Sequence, residues 1–518
     1  MVLGKPLIQY TIETALEVIP ASQVIVITDD DEIAEVCLNL GAVIIREPSN
    51  ATGLATLDQL MLRHIPDLKE MGATDEDLLL TMQPTCPLVK SERIIEAQNR
   101  FAAGAGSVIT VKDDRHLTWT IKDGQPKPLY EARVNRQQLP AQFRESGAII
   151  GARIGDVLKH QTRIVEPIAL VELPESESLD IDTFADLVVA EHWLSRKSIV
   201  LYANAAKELG MGHVYRTLAL AQELARHEVV IATLSSMPLG KKFFDGQVFN
   251  HLEIDSELQL AELCKKQNAD LVVLDILDTT KELIADLKAT GSKVVTFEDL
   301  GPGAQLADLL VSDLYENPLV KNQLTGVENA ILAPSFETVN RQARITQDVE
   351  HVLVLFGGTD PSELARKSLS ALQAIGYQGK VSCVRGLGAS AIDAQDFDLN
   401  LEVLSNVQNI GALMAQASLA LSSAGRTITE LMSIGVPTIC LAQNEKELTH
   451  THASYDNGVL NLGLGSQLSD SELQAALTKL FSDYSARVQM QQRALLACYN
   501  RSNSKVVARI LDLVLTKN

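Results

Sequence analysis

Short apolar runs rich in β-branched residues alternate along this chain with stretches whose apolar residues recur every three or four positions. The runs Gln23–Thr28, Leu78–Met82, Ser107–Val111, Ile199–Ala203, Leu271–Leu274, Val294–Phe297, Val352–Phe356 and Thr438–Leu441 predict strands. Asp31–Leu40, Thr183–Leu194 and Val214–Ala225 predict helices. In the last of these, Val214, Leu218, Ala221 and Leu224 share one face. Strands alternating with helices predict βαβ units and parallel sheets. The unbroken apolar runs predict strands covered on both faces.

The pattern restarts twice. Thr183–Leu194 closes on Ser195-Arg196-Lys197, and a new strand at Ile199 leads to a glycine-rich turn. Near residue 347 the polar segment Arg344–Val349 gives way to the strand Val352–Phe356 and a Gly357-Gly358 turn. A chain of 518 residues accommodates two to four compact units. The expected division is 1–197, 198–346 and 347–518, with the last two as paired lobes.

Charge narrows the choice of partners. There are 45 Lys and Arg against 66 Asp and Glu, a net charge of −21. Such a surface repels nucleic acid and anionic membrane, but a locally basic site can still take a small anionic substrate. The six cysteines are dispersed, without C-x-x-C pairs, as reduced thiols would be. The start lacks a signal-peptide pattern, and no apolar run approaches the ~18 residues of a membrane helix. A soluble, cytoplasmic protein is expected.

Candidate chemistry in the first segment centres on Ser178-Leu179-Asp180-Ile181-Asp182-Thr183. Two carboxylates two residues apart on an extended segment face one side, a hard oxygen site of the kind Mg²⁺ uses with phosphates. The same residues also suit a polar turn in which Asp182 caps a helix. Arg136 is either a clamp for a carboxylate or phosphate, or a surface cation.

In the second segment, Gly210-Met211-Gly212-His213-Val214-Tyr215-Arg216 follows a strand. Its glycines let N–H groups approach an anion, and a helix opening favours neutral imidazole, so His213 is a candidate base. The alternative is a tight turn with His213 as a cap. Asp275 and Asp278, then Glu298-Asp299, end later strands, where open α/β sheets bind ligands. In the third segment Phe356-Gly357-Gly358-Thr359-Asp360 follows a strand. Ser422-Ser423-Ala424-Gly425-Arg426-Thr427 opens a helix holding Glu430. Ser423 and Gly425 suit a diphosphate. Glu430 suits a ribose diol, or is an ordinary helix acid.

Six elements occur in order between Met1 and about Leu194: GKPL, ITDDDEIAE, QPTCPL, RQQLP, SGAII and LDIDTFADL. Together they resemble the acylneuraminate cytidylyltransferase family, the CMP-sialic acid synthetases. The resemblance implies a Rossmann-like nucleotidyltransferase domain that moves CMP from CTP to a nine-carbon keto-acid sugar. It implies Mg²⁺ on Asp180 and Asp182, Gln83 near the sugar, and Arg136 near the substrate's negative charge. Family members carry a basic CTP-binding loop ahead of the GKPL element. Only three residues precede it here, so the expectation is either a chain that starts late or an impaired cytidylyltransferase.

The motifs over about 198–470 resemble the two-lobed GT-B architecture, and more narrowly the UDP-sugar hydrolase of the pseudaminic acid pathway. The resemblance implies that water displaces UDP from a UDP-linked deoxy-diacetamido sugar without any cofactor, with His213 as base. Gly212, Arg216 and Asp275 would line the substrate, and Gly357, Gly358, Ser423, Gly425 and Glu430 would contact UDP. His450 and His452 receive no role. The fold class expected is α/β, a nucleotidyltransferase domain followed by a GT-B-like unit. The function expected is a bifunctional enzyme of nonulosonic acid biosynthesis, with nucleotide-sugar and nonulosonic acid substrates. Homo-oligomerisation is left open. The alternative is a GT-B glycosyltransferase using a UDP-sugar, with the first segment a non-catalytic binding or assembly domain.

Overall fold

A computed structural model describes residues 1–47, 56–206, 210–339, 345–386, 388–405, 407 and 409–515. Leu209, just before the glycine–histidine motif, and Arg344, at the expected second boundary, lie outside the described residues. The chain forms two compact units, Met1–Arg196 and Lys197–Asn518.

The first unit is built on a four-stranded sheet in the order Leu78–Met82, Phe143–Arg153, Ser107–Asp113, Ile168–Glu172. Phe143–Arg153 runs antiparallel to both its neighbours, so this sheet is mixed rather than parallel as the alternation predicts. The long strand carries the SGAII element, which reads in sequence as a motif and not as part of a strand. A separate parallel pair joins Ile25–Thr28 to Val43–Arg46. The core between sheet and helices gathers Ile12, Cys37, Ile94, Phe101, Val108, Ile149 and Val171.

The second unit holds two fully parallel sheets. Seven strands run in the order Asn250–Ile254, Glu228–Leu234, Ser198–Ala203, Leu271–Asp275, Lys293–Phe297, Leu309–Ser312, Gln323–Thr325. Six run in the order Asn400–Ser405, Lys380–Arg385, His351–Leu355, Leu419–Ser422, Thr438–Ala442, Val459–Leu464. Their central strands are buried throughout, as two-sided covering requires. In each sheet the chain order reverses at one place. It does so between Ser198–Ala203 and Leu271–Asp275 in the first, and between His351–Leu355 and Leu419–Ser422 in the second. Such reversals open a crevice beyond the strands' carboxyl ends.

The final helix, Asn503–Leu515, does not pack with the six-stranded lobe that precedes it. Val506, Val507 and Ile510 join the core of the seven-stranded lobe, and Asn503 donates to Glu223 Oε1 at 2.9 Å. The sequence boundary at 347 cannot reveal this return, because an amphipathic stripe does not say which core it meets.

Candidate functional site

The crevice of the seven-stranded sheet brings its strand ends together. The helix Gly212–Glu223 starts directly after the Gly210 turn, and Gly210 adopts φ +82°, a value open to glycine. Met211 occupies the cap position without a side-chain cap bond, so His213 is not the cap. Instead, His213 Nδ1 lies 2.6 Å from Asp275 Oδ1 at the end of the neighbouring strand. A carboxylate only accepts, so Nδ1 donates and Nε2 carries the lone pair.

Arg216 lies one helical turn further on and is fully buried. Its guanidinium forks onto Asp275, with Nε 2.6 Å from Oδ2, and also donates to Glu298 Oε1. Burial works against the Asp275 charge, yet Arg216 and His213 hold its carboxyl well below the usual range. Glu298 follows the next strand and Asp313 the one after. Burial pushes Asp313 up, whereas Arg216 and Arg426 hold Glu298 down despite its burial. The two acids face the same cation: Arg426 Nη1 lies 3.4 Å from Glu298 Oε1 and 3.1 Å from Asp313 Oδ1.

The six-stranded lobe closes onto this cluster. Arg426, beside the Ser423–Gly425 turn, donates to Asp313 Oδ1 at 3.1 Å, Glu298 Oε1 at 3.4 Å and the Ile331 carbonyl at 2.6 Å. A Cβ on Gly212 would stand 3.2 Å from Arg426 Cδ, and one on Gly358 would stand 2.6 Å from Met211 Cγ. The glycines therefore let the two turns approach. Gly357 has φ +75°. Glu430 sits on the helix Thr427–Ile434, and burial pushes its carboxyl up to about 7, with Arg426 and Asp313 as charged neighbours. Thus Gly212 meets Arg426 and Gly358 meets Met211 where the two lobes approach, with His213, Arg216 and Asp275 joined behind them.

One detail differs from the expected cradle of N–H groups. The Ala424 N–H donates to Glu447 Oε2 at 3.1 Å, so the Ser423–Gly425 turn is braced from within its own lobe. His450 and His452 brace it as well. His450 Nδ1 donates to the Ala424 carbonyl at 2.8 Å and His452 Nε2 to the Gly425 carbonyl at 3.2 Å. Sequence reasoning noted Glu298 only as one strand-ending acid among several. It assigned no role to Asp313, Arg426 and Glu447. Their signal was position: each ends a strand or opens a helix on the crevice side.

In the first unit, Asp180 and Asp182 line an open cleft with Lys112, Arg144, Glu145, Ser146, Ser178 and Asp186. Asp182 is not the cap of the following helix. Thr183 is, accepting from the Asp186 N–H, while the Asp186 carboxylate accepts from the Thr183 N–H at 2.8 Å. Asp180 Oδ1 is buried and has no hydrogen-bond partner among the described residues. Burial, with Asp180 nearby, pushes the Cys86 thiol up to about 12. Gln83 packs against Gly147, whose φ of +75° and missing Cβ leave room for the amide. Arg136 is exposed on the turn Arg136–Gln138, where its charge acts on Asp113, outside the cleft lining. The cations lining the cleft are Lys112 and Arg144, which sequence reasoning did not single out.

Residues 1–116 match the family model described as cytidylyltransferase, and residues 352–508 match the glycosyltransferase family 28 C-terminal domain. The spore coat polysaccharide biosynthesis protein SpsG of Bacillus subtilis is 25% identical over 340 residues, 60% of this chain and 97% of that protein. The CMP-N,N'-diacetyllegionaminic acid synthase of Legionella pneumophila is 27% identical over 201 residues, 37% of this chain and 86% of the synthase. The MurG structure from Acinetobacter baumannii superposes with a TM-score of 0.44 at 14% identity, covering 61% of this chain and 98% of that one. The chain thus joins a cytidylyltransferase-type segment to a unit of two parallel sheets, the second of which lies in the match to the family 28 C-terminal domain. No helix among the described residues is long and apolar enough to cross a membrane.

Proposed function

We propose that the unit Lys197–Asn518 releases UDP from a UDP-linked deoxy-diacetamido sugar by hydrolysis. The observation that carries this is the His213–Asp275 pair at 2.6 Å, on the helix start where Met211 meets Gly358 and Gly212 meets Arg426. Asp275 fixes the tautomer, and Nε2 takes the proton from a water. That water attacks the anomeric carbon, the bond from that carbon to the diphosphate oxygen breaks, and UDP leaves with the electron pair. Gly357, Gly358, Ser423 and Gly425 present backbone to the diphosphate, and Glu430 accepts from the ribose hydroxyls. Gly212 stands on the opposite side, and Arg216 and Asp275, expected from the sequence to line the substrate, are instead buried behind His213 and bonded to each other.

The unit Met1–Arg196 is read as the CTP-dependent partner activity toward a nonulosonic acid. The names of the Legionella synthase and the Bacillus spore coat protein support a place in acidic-sugar or surface-polysaccharide synthesis. Asp180 and Asp182 would hold Mg²⁺, and the orphaned Asp180 Oδ1 fits a cation ligand. When bound, the ion would neutralise triphosphate charge. No group of three or more His, Cys, Asp or Glu placed to hold a metal ion occurs among the described residues, so phosphate and water would complete its shell.

The family 28 match favours a second reading, transfer of the sugar to an acceptor. Incubation with a panel of UDP-deoxy-diacetamido sugars separates the two. Free UDP without an acceptor supports hydrolysis. UDP released only after an acceptor is added supports transfer.

A further inference from the structure

The charges behind His213 form one chain that crosses the crevice. From the first lobe, His213 donates to Asp275, and Asp275 and Glu298 share the Arg216 guanidinium. From the second lobe, Arg426 reaches Glu298 and Asp313. Two guanidiniums serve three carboxyls, and Arg216 Nη1 already stands 3.7 Å from Asp313 Oδ1. The hydrogen bonds of Arg426 go to Glu298, Asp313 and the Ile331 carbonyl, so its fork is turned into the first lobe.

We propose that Arg426 is a positioning residue: through Glu298 and Arg216 it keeps Asp275 and His213 in register, tying the base on one lobe to the nucleotide turn on the other. The inference rests on the reading of His213 as base. Without Arg426, Glu298 and Asp313 are left with Arg216 as their nearest guanidinium, Asp313 keeping the Thr429 hydroxyl at 3.4 Å. They draw that guanidinium away from Asp275, and the carboxylate that orients His213 is free to turn. A displacement on the order of 1 Å is enough to cost about a hundredfold in rate. Other charged or titratable groups around the chain are Tyr215 and Tyr315 on the first lobe, and Glu430, His450 and His452 on the second. None of these is a link in it.

The test compares Arg426→Gln, Arg426→Lys and Glu298→Gln in the full chain, with three readouts. The first is the downfield proton resonance of the His213 Nδ1–H in histidine-labelled protein without substrate, assigned with His213→Gln. The second is the UDP Kd by calorimetry, and the third is kcat for UDP release. Arg426→Gln is expected to lose the resonance and to lower kcat about 10–100-fold, with the UDP Kd within about threefold of the parent. Arg426→Lys is expected to recover the resonance. Glu298→Gln, which changes the first-lobe end of the same link, is expected to lose it as Arg426→Gln does. A weakened UDP Kd with kcat and resonance unchanged would make Arg426 a nucleotide ligand and overturn the proposal. A parent chain that releases no UDP would sink the hydrolase reading instead, while the resonance still decides the link.

Discussion

The two clefts treat their carboxylates in opposite ways. In the first unit Asp180 keeps a buried oxygen without a partner, and Lys112 and Arg144 line an open cleft. In the second, Asp275, Glu298 and Asp313 are buried and bound to Arg216, Arg426 and His213. A buried, unbonded carboxylate oxygen is costly, and a cation such as the one proposed on Asp180 and Asp182 would relieve that cost. The second supplies its own countercharge. Its carboxylates are bonded to neighbouring side chains. The lesson is that acids at strand ends have two uses, and burial with partners tells them apart.

The largest effect is expected at the base. His213→Ala should lower UDP release by about 10²–10⁴-fold with an unchanged circular dichroism spectrum. Near-parental turnover would remove His213 from the chemistry. On the other side of the comparison, Asp180→Asn should abolish Mn²⁺ binding to the full chain in paramagnetic resonance titrations. Arg136→Gln, outside the cleft lining, should leave it unchanged. Equal binding in all three proteins would mean that the orphaned oxygen awaits no cation.

Glu430→Gln should weaken UDP binding by about 1.5–3 kcal/mol, the contribution of charge-assisted bonds to two hydroxyls. The parent should bind UDP more tightly at pH 8 than at pH 6, because burial holds this acid protonated up to about 7. The sign for folding is opposite. The folded chain keeps this proton, which the unfolded chain releases near 4.5, so its contribution falls as pH rises from there through 7. A pH-independent Kd in the parent would return Glu430 to an ordinary helix acid. The smallest effects concern the turns. Gly358→Ala collides with Met211 and should cost about 1–3 kcal/mol in stability, as overpacking does. Gly357→Ala has open space and only a left-handed φ to contend with, and should cost about 1 kcal/mol. Chemical denaturation measures both.

Much of the second unit is legible in the sequence because its signal is local. Buried parallel strands are written as continuous apolar runs, and the turns after them carry glycines. The runs at Leu271 and Val294 therefore place Asp275 and Glu298 at strand ends on the apolar pattern alone. What stays hidden is non-local. Nothing near Arg426 in sequence says that it reaches Glu298, 128 residues away, and nothing near Asn503 says that it reaches Glu223. In the first unit the antiparallel strand Phe143–Arg153 is hidden inside a motif. The capping role expected of Asp182 belongs to Thr183, since either side chain suits a helix start and only geometry decides.

Hydrolysis in H₂¹⁸O, followed by mass spectrometry of both products, tests the central claim most directly. Attack by a water that His213 deprotonates places the label on the anomeric oxygen of the released sugar and leaves UDP unlabelled, and His213→Ala removes the reaction. Label appearing in UDP would mean that a phosphorus–oxygen bond breaks instead. An intact UDP-sugar until an acceptor is supplied would mean that the crevice transfers its sugar rather than hydrolysing it.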